Sequence, residues 1–338
     1  MSLLERSSPG AQESRPRVSV ILPNFNGIQH LPECLACLYA QTYDDFEVVM
    51  VDNASTDESV CWVQEHYPAV RIVQRTVNGG PVKSTNDGIL ASRGEYIVIL
   101  DNDTAFDQEW LRTLVKAMDD RPGYGIGIAK MLVYEEDDRL LSAGAVYSIA
   151  RLSHRDRGTG LHSSDYPQMQ RVLIAGGNGV IHRRDVFTDV GLYDEDYYAM
   201  YEDIDFSLRC LLKDKRCLYI PETYVRHKVG LCRQVSVSYE AEMAWTRNGA
   251  MMAAKTLPIP LLVVGLLALG WQEFRETVPL RPSYYRSFPE LLRRSRGRAK
   301  ARWEGLRKGW SKRRPIWESR TNSRREIYRW LLRGEGPV

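Results

Sequence analysis

Short hydrophobic runs alternate with polar, glycine-rich turns through the first 120 residues. Runs rich in Val and Ile are followed by segments whose apolar positions recur at helical spacing. The predicted strands are residues 18–22, 46–51, 70–73 and 96–100, and the predicted helices are residues 31–40, 59–67, 83–92 and 110–118. This alternation predicts an α/β fold, with a Rossmann-like, mostly parallel sheet flanked by helices.

Polar side chains follow each predicted strand at the point where the strand ends. They are Asn24, Asn26, Asp52, Asn53, Asn78, Asp101 and Asp103. In open α/β sheets, ligands bind beyond the carboxyl ends of the parallel strands. The pattern therefore predicts one binding site at this edge of the sheet.

The pattern loosens after Asp103. Short strands and polar loops are expected over residues 123–174, followed by a glycine cluster at 175–179 and a strand at 180–181. Residues 202–205 are acidic except for Ile204 and lead into a predicted helix over 206–212. Two short extended pieces, 219–221 and 224–227, follow, and the second ends at His227.

Residues 256–272 carry no charge, and residues 261–271 are apolar without interruption. A spanning helix needs about 20 apolar residues, so this segment is at the lower margin and also contains Pro258 and Pro260. A shallow membrane contact and a helix packed on the core are both open interpretations, and the basic segment that follows favours the membrane.

The charge is divided unevenly along the chain. The 43% of hydrophobic and 26% of charged residues exclude a wholly disordered protein. Residues 281–338 hold 18 Lys/Arg and 5 Asp/Glu, a net charge of +13, whereas the remainder carries −10. We predict a disordered leader at 1–16, an α/β domain at 17–250 and an apolar and basic helical extension at 251–338.

Tryptophans accompany the basic residues of the extension, at Trp303, Trp310, Trp317 and Trp330. This composition is typical of an interfacial membrane segment. We expect this tail to bind an anionic membrane surface. Nucleic acid is the rival partner and is less favoured, because the apolar segment precedes the tail. A solvated arm that mediates oligomerisation, for example in a homodimer, is also open. Without an apolar signal segment near Met1, we expect a cytoplasmic protein, peripheral at the inner face of the cell membrane.

Three sets of residues are candidates for a metal site or for catalysis, and each could instead have a purely structural role. Asp101 and Asp103 can share a divalent ion such as Mg²⁺ or Mn²⁺, or form a solvated turn. His227 can complete the metal site or be a structural histidine. Glu202 and Asp203 offer a general base, or an acidic helix cap.

The ordered set of motifs resembles the inverting glycosyltransferases of family 2, which have the GT-A fold. The motifs lie at residues 18–26, 51–57, 78–80 with Asn86, 99–103, 176–178, 190–195, 202–205 and 227. The resemblance extends over residues 17–230, and within the family the chain is most similar to bacterial rhamnosyltransferase-like members. These build cell-surface polysaccharide, often on polyprenyl-linked acceptors.

The resemblance implies a role for each matching residue. Asp203 is the implied base, supported by Glu202 and Asp205, and Asp103, Asp101 and His227 are the implied ligands of Mn²⁺ or Mg²⁺. The implied donor-binding residues are Pro23, Asn24, Asn26, Asp52, Asn53, Ser55, Asn78, Gly79, Asn86, Asp101, Asn102, Gly176, Gly177 and Asn178. The expected reaction moves a sugar, with rhamnose indicated, from a dTDP- or UDP-type donor to a hydroxyl of a glycan precursor.

Two other function classes remain open. A nucleotidyltransferase favours a phosphate loop rich in glycine and lysine, but residues 23–27 contain no Lys or Arg. A non-catalytic nucleotide-sugar-binding scaffold is expected to lose Asp103, Asp203 or His227, and all three are present.

Overall fold

The computed structural model describes residues 15–136, 138–228, 238–277, 288–333 and 335–336. The strands are β1 (Val18–Asn24), β2 (Phe46–Asp52), β3 (Arg71–Gln74), β4 (Tyr96–Ile99), β5 (Thr104–Phe106), β6 (Tyr124–Val133), β7 (Leu140–Ser142), β8 (Ala145–Ser148), β9 (Ser153–Asp156), β10 (Gln170–Val172), β11 (Val180–Arg183), β12 (Arg216–His227) and β13 (Glu335–Gly336). The helices are α1 (Leu31–Tyr39), α2 (Ser59–His66), α3 (Pro81–Ala91), α4 (Trp110–Asp119), α5 (Arg184–Val190), α6 (Glu202–Leu212), α7 (Tyr239–Thr256), α8 (Ile259–Thr277), α9 (Phe288–Glu318) and α10 (Arg324–Arg333).

The alternating first part of the fold confirms the prediction. Each strand and helix predicted within the first 120 residues is present, and its ends lie within two residues of the predicted ones. The central strands β1 and β2 are buried almost throughout, because helices cover both faces of the sheet. Most of the predicted disordered leader, residues 1–14, lies outside the described residues.

The main sheet is mixed. Strands β2 and β4 flank β1 in parallel, and β3 continues in parallel beyond β2. Beyond β4 the order is β11, β6, β12, β10 and β13, with β11 antiparallel to both of its neighbours and β12 parallel to β6. The parallel part places the carboxyl ends of β1, β2 and β4 at one edge, where the site lies.

Later elements differ from the prediction in extent. The two extended pieces at 219–221 and 224–227 belong to one long strand, β12, which has an irregularity between Ile220 and Tyr224. The helix predicted at 206–212 begins four residues earlier, at Glu202. The acidic residues 202–205 are therefore the first turn of α6 and not a loop before it.

The C-terminal helices pack on the α/β domain. Buried side chains of α7, α8 and α10 share one core cluster with α6 and with residues 145–152. The domain boundary predicted at residue 250 lies inside the continuous helix α7. Among the described residues, no helix is both long enough and apolar enough to cross a membrane.

Candidate functional site

Asn24 joins the carboxyl ends of β1, β2 and β4. Its buried amide nitrogen donates to Asp52 Oδ1 at 3.1 Å and to Ser55 Oγ at 3.2 Å. Its Oδ1 accepts a hydrogen bond from Asn102 Nδ2 at 2.8 Å. Asn24 therefore supports the predicted donor-binding edge of the sheet, which we refer to as the rim. Both the oxygen and the nitrogen of its own amide are hydrogen-bonded inside the protein. Other predicted residues on this rim are Pro23 and Asn26.

A second group of predicted donor residues continues the rim at β3 and α3. Asn53 Nδ2 donates to Asn78 Oδ1 at 2.8 Å, and the Gly79 N–H donates to Asn53 Oδ1 at 3.0 Å. Asn86 makes different contacts, because its amide exchanges hydrogen bonds with the backbone N–H and C=O of Tyr193 at 3.1 Å and 2.9 Å. Its contacts tie α3 to the loop that follows α5.

Strand pairing brings His227 to Asp103. Strand β5 runs antiparallel to the end of β12, which places His227 opposite Thr104. His227 Nε2 lies 3.2 Å from Asp103 Oδ1. One ligand atom from each of Asp101, Asp103 and His227 lies within 4.8 Å of the others. The two carboxylate oxygens suit Mn²⁺ or Mg²⁺, whereas an imidazole nitrogen is a poor ligand for the hard Mg²⁺, so this donor set fits Mn²⁺ better.

The electrostatics of this cluster also fit a cation. Asp101 is exposed as a residue, yet desolvation of its carboxylate raises its pKa to about 6. The charge of His227 opposes this rise, and the charges of Asp103 and Asp203 add to it. Burial lowers the pKa of His227, but its hydrogen bond to Asp103 and the charge of that carboxylate outweigh burial and raise it overall. Crowded carboxylates of this kind are relieved by a positive charge.

The glycine loop at residues 176–178 touches both halves of the site. Asn178 Oδ1 accepts from the Asp101 backbone N–H at 2.8 Å. The Gly177 N–H donates to Asp203 Oδ2 at 3.0 Å. A Cβ on Gly176 would lie 2.6 Å from Asp203 Oδ2, so a side chain at this position would displace the Asp203 carboxylate. The loop therefore connects Asp203 with the group of Asp101, Asp103 and His227, which we refer to as the candidate metal-ligand cluster.

The two carboxylates at the start of α6 have different surroundings. Asp203 accepts backbone N–H groups at both oxygens, from Gly177 at 3.0 Å and from Ile204 at 2.8 Å. Glu202 Oε2 is buried and has no hydrogen-bond partner among the described residues. Burial, followed by the charge of Asp203, raises the pKa of Glu202 to about 8. Burial therefore favours the protonated form of Glu202, while Asp203 is held in a fixed orientation.

Asp205 makes its contacts with other partners. It is 0% exposed and pairs with Arg209 at 2.8 Å and with Lys255 of α7 at 2.7 Å. Lys255, itself 1% exposed, also contacts Asp194 at 2.7 Å, and Asp194 contacts Lys312 of α9 at 2.6 Å. The resemblance implied that Asp205 supports the base, but its contacts join α6 to the C-terminal helices.

The two residues directly before α6 have a left-handed backbone conformation, which residues with a side chain rarely adopt. Met200 and Tyr201 have φ values of 69° and 74°, which cost energy for residues other than glycine. Asn248 of α7 donates from Nδ2 to the carbonyls of Ala199 and Met200, each at 3.0 Å. The sequence reasoning missed Asn248, because no local motif marks a side chain whose partners are remote in the chain.

Models of known protein families match most of the described α/β domain. A family model described as Glycosyl transferase family 2 matches residues 19–171, and one described as Glycosyl transferase family group 2 matches residues 96–265. Glycosyltransferase GlyG of Streptococcus pneumoniae is 31% identical over 126 residues, covering 36% of this chain and 41% of that protein. The chain spans only 16% to 41% of the length of three of the curated relatives that it matches.

Solved structures share the fold at low sequence identity. Residues 1–349 of S. aureus TarS in complex with UDP-GlcNAc superpose with a TM-score of 0.56 at 19% identity, covering 90% of this chain and 91% of that one. The mannosyltransferase PcManGT from Pyrobaculum calidifontis, in complex with GDP-Man and Mn²⁺, gives a TM-score of 0.52 at 19% identity and covers 98% and 91%.

Proposed function

The chain belongs to glycosyl transferase family group 2, and from this premise we propose that it moves a sugar from a nucleotide-diphosphate donor to an acceptor hydroxyl with inversion at the anomeric carbon. The observation that carries the proposal is the loop at residues 176–178, which contacts both Asp101 and Asp203. A donor diphosphate at the metal-ligand cluster and an acceptor hydroxyl at Asp203 would therefore flank one anomeric carbon.

Asp101, Asp103 and His227 would hold the divalent ion. When bound, such an ion neutralises the charge of the diphosphate. The 3.2 Å contact between His227 Nε2 and Asp103 Oδ1 supports this assignment, as does the placing of one ligand atom from each of the three residues within 4.8 Å of the others. The Mn²⁺ in the PcManGT complex is consistent with it.

Asp203 would accept the proton of the attacking hydroxyl. Backbone N–H groups of Gly177 and Ile204 orient its two oxygens, so its remaining lone pairs have a defined direction. The acceptor oxygen forms its bond to the anomeric carbon as the bond from that carbon to the diphosphate oxygen breaks on the opposite face. The raised pKa of Glu202 favours its protonated form, which makes it the weaker candidate for the base.

The finer identity of the substrates follows from the motif resemblance. We propose a dTDP- or UDP-linked sugar, with rhamnose as the sugar, and a polyprenyl-linked glycan precursor as acceptor. The likeness of the motif set to rhamnosyltransferase-like proteins supports the sugar, and the UDP-GlcNAc complex of TarS shows a nucleotide sugar on this fold. A lipid-linked acceptor in turn supports a place at the inner face of the cell membrane.

A thermal-shift and donor-hydrolysis panel tests the proposal. The full chain is heated with dTDP-, UDP- and GDP-sugars in the presence of Mn²⁺, Mg²⁺ or EDTA. We expect one donor class to raise the melting temperature, and EDTA or Asp103→Asn to abolish that rise. Stabilisation by nucleoside triphosphates and by no nucleotide sugar would refute the proposal in favour of a nucleotidyltransferase.

A further inference from the structure

Helix α8 exposes an unbroken apolar face. Its large hydrophobic side chains are between 48% and 70% exposed, and they are Ile259, Val263, Val264, Leu267, Trp271 and Phe274. At 3.6 residues per turn, these positions share an arc of about 140° that is about 23 Å long. The other residues of this arc, Pro260 and Gly270, are also uncharged. We refer to this surface as the apolar face of α8.

The opposite side of α8 fixes the orientation of the helix. Leu262 is buried in the core cluster that α8 shares with α6 and α7. A Cβ on Gly265 would lie 2.3 Å from Leu152 Cδ2 and 2.6 Å from the carbonyl oxygen of Ile149. So close a contact prevents α8 from rotating to bury its apolar face against the domain.

Helix α9 lies next to α8 and exposes a basic stripe. Glu273 of α8 joins the two helices, through Arg302 at 2.7 Å and Arg298 at 3.3 Å. Exposed Arg, Lys and Trp side chains of α9 recur at intervals of three or four residues at Arg296, Lys300, Trp303, Arg307, Trp310 and Arg314. Two of them pair with exposed acids of the same helix, Lys300 with Glu304 at 4.0 Å and Arg314 with Glu318 at 2.7 Å. At 100° per residue these positions fall on one side of α9. We refer to this surface as the basic stripe of α9.

Other basic residues of the tail form ion pairs with the rest of the protein and do not belong to this exposed stripe. Arg294 pairs with Glu242 at 2.7 Å, and Lys312 pairs with Asp194 at 2.6 Å. Of the four tryptophans of the extension, Trp303 is 68% and Trp310 is 54% exposed, whereas Trp330 is buried. Trp317 is half-buried and donates to the carbonyl of Lys255 at 3.1 Å. Only part of the tail can therefore contact an external partner.

We propose that the apolar face of α8 inserts into the headgroup region of an anionic lipid bilayer, with the basic stripe of α9 against the lipid phosphates. An apolar helix face beside Arg, Lys and Trp side chains is the composition of helices that lie in the plane of a membrane surface. A protein partner with a matching apolar patch would not require the adjacent positive charge. The proposal is independent of the sugar-transfer proposal, because neither surface contains a residue of the candidate site.

Vesicle flotation of the full chain tests the apolar face. Vesicles of phosphatidylcholine with 30% phosphatidylglycerol are compared for the wild type, Leu267→Glu and Leu90→Glu. Leu90 is a matched control, since it is an isolated leucine on α3 that is 59% exposed. We expect Leu267→Glu to lower the partition coefficient at least fivefold and Leu90→Glu to leave it unchanged. Thermal melting of each variant establishes that the fold is intact.

A charge series tests the basic stripe. Arg296→Gln with Arg307→Gln removes two exposed charges of the stripe, and Arg112→Gln with Lys116→Gln removes two from α4 as the control. We expect only the first pair to weaken partition onto anionic vesicles, by about tenfold, and neither pair to affect the weaker partition onto pure phosphatidylcholine.

Two results would overturn the membrane proposal. The first is equal flotation of the wild type and Leu267→Glu. The second is a lipid-free dimer in sedimentation velocity that Leu267→Glu dissociates, with no flotation of the wild type. That second result would assign the apolar face to a second copy of the chain.

Discussion

At the scale of single residues, two adjacent carboxylates of α6 have different surroundings. Asp203 accepts two backbone N–H groups, whereas Glu202 has a buried oxygen with no partner among the described residues and a pKa of about 8. Glu202 and Asp203 are adjacent acidic residues in the sequence, but the fold gives them different environments.

Replacement of Asp203 tests its role as the base. We expect Asp203→Asn to lower the transfer rate by about 10²- to 10⁴-fold, the usual contribution of a positioned base. The new amide must also turn its NH₂ group toward one of the two backbone N–H donors, which costs about 1–3 kcal/mol of stability. Donor-dependent thermal stabilisation should persist, and a normal turnover rate would exclude Asp203 as the base.

The pH dependence of stability tests Glu202. Its folded-state pKa of about 8 lies above the value of about 4.3 expected for an unfolded glutamate. Between these values the folded state keeps a proton that the unfolded state releases, so the contribution of Glu202 to stability falls as the pH rises through this range.

Glu202→Gln removes that titration. From pH 5 to pH 8, we expect the unfolding free energy of the wild type to fall relative to that of the variant by a few kcal/mol. Urea unfolding of both proteins at pH 5, 6, 7 and 8 measures the difference. Parallel pH profiles would mean that the pKa of Glu202 is not raised.

At the scale of elements, helix α7 holds the chain that leads into α6. Asn248 is the donor to two carbonyls next to the left-handed residues Met200 and Tyr201. Strain of this kind persists only where the surroundings hold it. The position of Asp203 therefore depends on α7, the helix that leads from the α/β domain into the C-terminal extension.

Removal of the Asn248 amide tests this dependence. We expect Asn248→Ala to cost about 1–3 kcal/mol, because two carbonyls lose their donor, and to lower kcat by about 10- to 100-fold with little change in the KM for the donor. Thr246→Ala, on the same helix, removes only a bond to the Glu242 carbonyl and is the matched control. Equal kcat values in the two variants would show that the loop holds its shape without Asn248.

At the scale of the whole molecule, the C-terminal extension is part of the folded core. Gly305 and Gly309 of α9 bring that helix against the backbone of α7, where a Cβ would lie 2.1 Å from the carbonyl oxygens of Arg247 and Met251. Lys312 reaches Asp194, and α10 buries Trp330. The extension therefore contributes to stability as well as presenting a surface.

Deletion of residues 281–338 should consequently destabilise the domain. It removes α9 and α10 with the buried side chains of Ile327, Trp330 and Leu331. At about 1.5–3 kcal/mol for each large apolar side chain, this loss is comparable with the whole stability of many domains. We expect aggregation or a strongly lowered melting temperature by calorimetry. A soluble fragment with unchanged melting would show instead that the extension folds separately.

The sequence by itself determined the alternating strands and helices up to α4 and the edge of the sheet that carries the site. These two features follow from local spacing, because apolar periodicity defines an element and the carboxyl ends of parallel strands share an edge. The grouping of Asp101, Asp103 and His227 as metal ligands was implied by the motif resemblance. The sequence also located an unusual apolar and basic C-terminal segment.

The tertiary structure alone decided the different environments of residues that look alike in the sequence. It separated Glu202 from Asp203 by burial, turned Asp205 toward Lys255, and engaged Asn86 with a loop. It also divided the basic tail into internal ion pairs and an exposed stripe. Burial, hydrogen-bond partners and the direction of a side chain depend on elements remote in the chain, and no local pattern encodes them.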